Sequence, residues 1–296
     1  MNTTRIPVLA VVGVGLIGGS FAAALRRADR VGRVLGVGRD PKSLERAREL
    51  GLIDEAVGAA EAARRADLVM LAAPVGCLGG LLAEMRPHLK PGIVLTDAGS
   101  TKAEVARAAR QALGERIGCF VLGHPIAGAE RTGPDAADAG LYRDRSVVLC
   151  PLPENTPQVV EQVRQAWRAC GARLIEMDAG LHDRMLASVS HMPHLLSAVY
   201  MAQVAGEPDA AQRLDLAGSG FRDFTRIAAG SPEMWRDIFL SNRPAMQAEL
   251  AAVRAVLDQA EKALAAGDGA ALLDLLQRAA AARRGWRTGP TETMQE

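Results

Sequence analysis

Val8-Leu9-Ala10-Val11-Val12-Gly13-Val14-Gly15-Leu16-Ile17-Gly18-Gly19 decides the fold. A β-branched apolar run ends in Gly13-x-Gly15-x-x-Gly18 and passes directly into an amphipathic stretch carrying Phe21 and Leu25. A strand that turns sharply into a helix around a ligand needs glycine at these offsets. The first permits the tight turn, the second lets the backbone approach a pyrophosphate, and the third lets helix and strand pack closely. The helix amino terminus then offers unpaired amides and a positive dipole end to phosphate. Such a glycine pattern is weak alone, but here it lies between two strand-like runs, at residues 8–14 and 34–37, and opens a helix. Gly13, Gly15, Leu16, Ile17 and Gly18 are therefore expected to form the phosphate turn of a dinucleotide site.

The second run ends in Gly36-Val37-Gly38-Arg39-Asp40-Pro41. A site selective for NAD carries an acidic side chain at this strand end to grip the ribose hydroxyls. Here Gly38 holds that place and Arg39 follows, which suits a ribose phosphate and points to NADP. NAD use stays open, because a shift of two positions would give Asp40 the acidic role.

Further runs at 68–72, 93–96, 119–122, 146–150 and 173–177 alternate with amphipathic stretches rich in alanine and arginine. This is the rhythm of βαβ units. The expectation is an α/β, Rossmann-type doubly wound sheet over residues 1–178, followed by an all-α domain over 179–296. The helical stretches of the second half are read at 181–205, 210–217, 223–228, 232–241, 244–266 and 270–284, with Ser231 and Asn242 as helix starts before Pro232 and Pro244. The first and fifth are long and apolar on more than one face, which predicts a homodimer through this half.

Composition narrows the function. Thirty-five Lys and Arg against 34 Asp and Glu give no basis for a nucleic-acid partner. Residues 6–25 carry no charge, yet their glycines would make a poor membrane span, so a soluble chain with no membrane partner is expected. Cys77, Cys119, Cys150 and Cys170 lack C-x-x-C spacing, which argues against a zinc site or a disulfide framework and fits a cytoplasmic protein.

Four segments carry chemistry. Gly123-His124-Pro125-Ile126-Ala127-Gly128 places an imidazole in a glycine-bracketed loop just past a strand end, where ligands of an open parallel sheet sit. The competing role for His124 is a hydrogen bond within its own loop. Thr96-Asp97-Ala98-Gly99-Ser100-Thr101-Lys102 brings the Ser100 hydroxyl to the same edge, unless Ser100 only caps a helix starting at Lys102. Ser190-His191-Met192-Pro193-His194 lies in the first helical stretch of the second half. Residues 218–227 set Arg222 and Arg226 beside glycines, where Arg226 could instead pair with Asp223.

With Met234-Trp235, these segments resemble the prephenate and arogenate dehydrogenase family of tyrosine biosynthesis over nearly the whole chain. The resemblance implies a Rossmann-type domain, a helical dimerising domain and an NAD(P)-dependent oxidative decarboxylation of prephenate or arogenate, with no metal. It also implies roles: His124 at the substrate's ring hydroxyl, Ser100 assisting it, Arg226 on the ring carboxylate, and His194, Glu130 and Trp235 near the substrate. Asp135 and Glu130, in the loop after His124, make an amino-bearing substrate plausible. A β-hydroxyacid dehydrogenase would need a catalytic lysine in the second half, where Lys262 alone is present. A dinucleotide sensor without turnover is the non-enzymatic alternative.

Overall fold

A computed structural model of the chain describes residues 5–128 and 131–286. The first half runs β1 (Ile6–Val12), α1 (Leu16–Arg27), β2 (Val31–Val37), α2 (Pro41–Glu49), β3 (Glu55–Ala56), α3 (Ala59–Arg65) and β4 (Leu68–Leu71). It continues through α4 (Leu78–Met85), β5 (Val94–Asp97), α5 (Ala103–Leu113), β6 (Phe120–Pro125), β7 (Ser146–Cys150), α6 (Pro157–Ala169) and β8 (Arg173–Glu176). The strands form one sheet in the order β3-β2-β1-β4-β5-β6-β7-β8. Every pair is parallel except β6 with β7. The strand order reverses between β1 and β4, which opens the ligand crevice of such a sheet at their carboxyl ends.

Strands buried on both faces read as continuous apolar runs, and β1 shows why. Leu9 and Val11 pack with Phe21, Leu25, Val163 and Trp167 on one face, while Ala10 and Val12 pack with Leu82, Ala109 and Leu113 on the other. The two-residue β3 has no apolar run to betray it; its Glu55 binds Arg33 and Arg65 instead. The strand expected to stop at Leu122 extends to Pro125, because its antiparallel ladder with β7 continues through Gly123↔Leu149, His124↔Val148 and Pro125↔Val147. His124 therefore stands on a strand rather than in the loop after it.

The second half contains α7 (Ala179–Leu186), a π-helical turn (Ala187–His191) and α8 (Met192–Ala205). The single helix expected here is widened at that turn. Pro193 has no amide for the preceding turn, and its ring would crowd the carbonyl of Val189, so the backbone opens just before it. Then follow α9 (Ala210–Asp215), α10 (Ser219–Thr225), a 3-10 turn (Arg226–Ala229), α11 (Pro232–Ser241), α12 (Arg243–Ala266) and α13 (Gly269–Gly285). The glycines before Asp223 form the first turn of α10 and are not a flexible lead-in. Ser231 caps α11 through the Met234 amide, whereas the Asn242 side chain is used elsewhere.

Contacts divide the chain into two compact units, with the division between Met246 and Gln247. In the second unit, Asp268 caps α13 through the Ala271 amide, and Val256, Leu257, Leu264, Leu273 and Leu276 are exposed. Among the described residues, no helix is long and apolar enough to cross a membrane.

Candidate active site

The glycine turn has the geometry that its spacing requires. Gly13 has a φ of +93°, and a Cβ there would lie 2.6 Å from the Ala72 carbonyl oxygen. A Cβ on Gly18 would lie 2.2 Å from the Gly13 oxygen, so helix and strand can approach only at glycine. Around Gly15 the nearest neighbour to such a Cβ is the Gly133 nitrogen at 3.9 Å, which leaves its backbone approachable. No side chain caps α1, and its first turn, beginning at Leu16 and Ile17, holds no acidic residue. These features fit a pyrophosphate at the helix amino terminus.

At the ribose end, Gly38 and Arg39 are exposed beyond β2. Asp40 caps α2: its two carboxylate oxygens accept from the Lys42 and Ser43 amides, each at 3.1 Å. Asp135 is held by Arg46 of α2, whose Nε and Nη2 donate to one oxygen at 2.9 and 2.7 Å. Residues 138–142 are held against α1 by Tyr142, which donates to the Ile17 carbonyl at 2.6 Å, and by the Asp138 amide donating to Ser20 at 2.8 Å.

Two strands beyond β4, His124 lies on the face of β6 shared with Phe120 and Leu122 and meets α7. His124 Nδ1 is 2.8 Å from His182 Nε2, and His182 Nδ1 is 2.7 Å from Asp183 Oδ1. The Asp183 carboxylate also accepts from the Lys102 and Ala103 amides, each at 2.8 Å, and so caps α5 from a distant part of the chain. The direction of the chain follows from its end. A carboxylate only accepts, so His182 Nδ1 carries a hydrogen, and in the neutral ring Nε2 accepts. His124 must then donate from Nδ1, which leaves the lone pair on Nε2. Burial first, then the Lys102 charge, then His182 and His191, holds the His124 imidazole well below the ordinary histidine range, so it is neutral at neutral pH.

Asn242 ties this group to the helices. Its amide nitrogen donates to the Asp183 carbonyl at 2.8 Å and reaches His191 Nδ1 at 3.1 Å. Burial lowers the His191 pKa to about 4. The His191 ring lies 6.3 Å from Trp235, which stacks on His194 at 3.6 Å between centroids. His194 donates from Nδ1 to the Ser190 carbonyl at 2.9 Å, leaving its Nε2 as an acceptor. A cavity of about 490 Å³ lies here, lined by His194, Ile227, Gly230, Trp235 and Phe239 among others. Arg226 begins the 3-10 turn after α10, close enough for its charge to act with burial in lowering the His194 pKa.

His124, His191, His194 and Trp235 thus belong to linked groups, with Arg226 beside them. Ser100 follows the neighbouring strand β5 and is partly buried; α5 begins at Ala103 and Asp183 supplies its cap, so Ser100 is not the helix cap. Glu130 lies outside the described residues. His182 and Asp183 have no part in the sequence-based expectations, and Asn242 has only that of a helix start. The adjacent His-Asp pair just after the Asp178 cap was the available signal, while Asn242 looked like an ordinary helix start.

A phosphate turn at the point where strand order reverses, with a neutral imidazole at the same edge of the sheet, defines a dinucleotide-dependent oxidoreductase. The prephenate dehydrogenase nucleotide-binding domain matches residues 21–176, and the prephenate dehydrogenase dimerization domain matches residues 178–278. The cyclohexadienyl dehydrogenase of Zymomonas mobilis is 34% identical over 283 residues, spanning 95% of this chain and 96% of that protein. The prephenate dehydrogenase of A. aeolicus, solved with hydroxyphenyl propionate and NAD+, superposes with a TM-score of 0.88 at 31% identity, covering 94% of this chain and 97% of that one. Synechocystis arogenate dehydrogenase gives 0.80 at 31% identity, covering 94% and 99%. The chain belongs to the prephenate dehydrogenase family.

Proposed function

We propose that this protein oxidatively decarboxylates prephenate, arogenate or both, in tyrosine biosynthesis, with NADP preferred over NAD. The observation that carries the chemistry is the His124–His182–Asp183 chain, which presents one neutral imidazole with its Nε2 lone pair available. The substrate is a cyclohexadienol with a carboxylate on the ring carbon opposite the hydroxyl. When bound, the oxidised nicotinamide accepts hydride from the carbinol carbon. His124 Nε2 takes the hydroxyl proton as hydride leaves, a general-base contribution of roughly a hundred- to ten-thousandfold. The resulting dienone loses carbon dioxide; the electrons of the broken carbon–carbon bond aromatise the ring, and the phenolate oxygen recovers a proton from His124.

Ser100, at the end of the adjacent strand, shares the substrate hydroxyl with His124 in this scheme. Arg226 holds the ring carboxylate with its planar, permanently charged fork. His194 and Trp235 line the remaining wall, with Glu130 proposed from the sequence. The Asp135 carboxylate is engaged by Arg46, so Glu130 is the preferred loop carboxylate for a substrate amino group. NADP preference is supported by Gly38 and Arg39 beyond β2, and by an Asp40 carboxylate committed to capping α2.

The proposed domain boundary falls at Asp178, with the helical half forming a homodimer in the cytoplasm through its exposed apolar side chains. Steady-state kinetics with prephenate and arogenate, each with NAD and NADP, tests the assignment. Oxidation of at least one substrate, with higher kcat/KM on NADP, is expected. Turnover of neither rejects the function, and higher efficiency on NAD rejects the cofactor preference.

A further inference from the structure

Beside the histidine chain lies a buried ion pair that proton transfer does not use. Lys102 and Asp97 are both fully buried and paired with one another. Asp97 Oδ1 accepts the Gly123 amide at 3.0 Å, and its Oδ2 accepts the Gly99 amide at 2.8 Å. Lys102 Nζ also donates to the Gly123 carbonyl at 2.7 Å. Both backbone polar groups of the residue before His124, and the amide of the residue before Ser100, are therefore held by one pair of side chains.

The sheet shows why such a device is needed. Main-chain pairing between β5 and β6 ends at Thr96↔Val121, while β6 runs on to Pro125 along β7. Past Asp97 the chain leaves β6 to form the Gly99-Ser100 turn, and the side-chain pair takes over from the ladder at that point. The fit has no slack: a Cβ on Gly123 would lie 2.7 Å from the Asp97 carbonyl oxygen, and one on Gly99 would lie 2.9 Å from Asp97 Oδ2. A buried ion pair is seldom the most stable solution for a core, since apolar side chains of similar volume often replace it at no cost. Here each partner also binds main-chain groups of the residues that precede Ser100 and His124, which apolar side chains could not hold.

We propose that Asp97 and Lys102 are positioning residues, a staple across the ends of β5 and β6 that sets the His124 imidazole and the Ser100 hydroxyl against one substrate oxygen. This rests on the assignment of His124 and Ser100 made above. The staple has an electrostatic side as well. The charged and titratable groups that act on His124 are Lys102 before α5, His182 on α7 and His191 in the π turn. After burial, the Lys102 charge is the largest influence keeping the imidazole unprotonated.

The test is the double variant Asp97→Leu/Lys102→Met in the full chain, measured for thermal midpoint, NADP dissociation constant, kcat, KM and the His124 titration by histidine-ring NMR. Cofactor affinity is expected to stay near wild type, while the thermal midpoint falls, because the Gly123 amide and carbonyl and the Gly99 amide lose their buried partners. The kcat should fall by about a hundredfold, as for a catalytic group displaced by about 1 Å, with a smaller change in KM. The His124 titration should move up, because the Lys102 charge that acts on it has gone. A folded double variant with unchanged kcat and unchanged His124 titration overturns the staple.

If the double variant does not fold, the isosteric Asp97→Asn decides. A loss of kcat of about tenfold or more supports the staple, and unaltered kcat rejects it. The ring titration reports on His124 whether or not it is the base. Full activity in His124→Asn would therefore remove the base assignment alone, leaving the staple to stand or fall on the NMR result.

Discussion

At the scale of single residues, the proposed proton transfer depends on which nitrogen of His124 carries hydrogen. The Asp183 carboxylate sets the His182 tautomer, and His182 sets that of His124. Replacing His182 with Phe removes the acceptor for His124 Nδ1 and lets the ring adopt the other tautomer. The expected loss in kcat is about ten- to a hundredfold with cofactor affinity unchanged, and His182→Gln, whose amide oxygen can accept, should restore part of it. Equal loss in both variants would make His182 a packing residue. Arg226 is tested by Arg226→Ala. Removing a charge-assisted contact to a buried carboxylate costs roughly 2–5 kcal/mol, so KM should rise by about thirtyfold or more while kcat falls less than on loss of His124. A variant that loses thermal stability but keeps its KM would assign Arg226 to a structural pair.

At the scale of elements, strands buried on both faces were the most legible. The run from Leu9 to Val12 could be read because both sides of β1 must be apolar, and the glycine turn because only glycine tolerates the Ala72 and Gly13 carbonyls at that distance. The short β3 was hidden because its pairing is edge-on and polar. The extension of β6 was hidden because it depends on the antiparallel partner β7, whose direction no local pattern reveals. The π turn could be foreseen only as far as Pro193 disturbs a helix. The β2–α2 junction carries its own prediction. A side chain at Gly38 would meet Leu44 Cδ2 at 3.3 Å, so Gly38→Asp can be accommodated by a small shift of one methyl group. The new carboxylate should repel a ribose phosphate and accept from ribose hydroxyls, moving the kcat/KM ratio toward NAD. No change in that ratio would place the ribose phosphate away from β2.

At the scale of the whole molecule, the candidate site depends on contacts that join distant parts of the sequence. His124 and Ser100 could be placed at strand ends from the βαβ rhythm alone. Asp183 capping α5 and Asn242 holding Asp183 and His191 could not, since each side chain also has an ordinary local use. One consequence is a stability profile in pH. His191 has a folded pKa of about 4 against an ordinary 6.5, so the unfolded chain binds a proton first as pH falls. Its contribution is complete above pH 6.5, is lost as pH drops toward about 4, and amounts to roughly 3 kcal/mol. Denaturant midpoints from neutral pH down to about 4 should fall less steeply in His191→Gln than in the parent. Parallel slopes would show that other groups carry the acid sensitivity.

The most direct test of the central claim is the turnover of His124→Asn with the preferred substrate and cofactor, alongside the pH profile of the parent enzyme. The account predicts a fall in kcat of about two orders of magnitude or more with an unchanged cofactor dissociation constant. In the parent, the acid limb of kcat/KM should lie below the ordinary histidine value of 6.5, because burial and Lys102 keep His124 unprotonated as pH falls. Near-parental turnover in His124→Asn would contradict the assignment of His124 as the base.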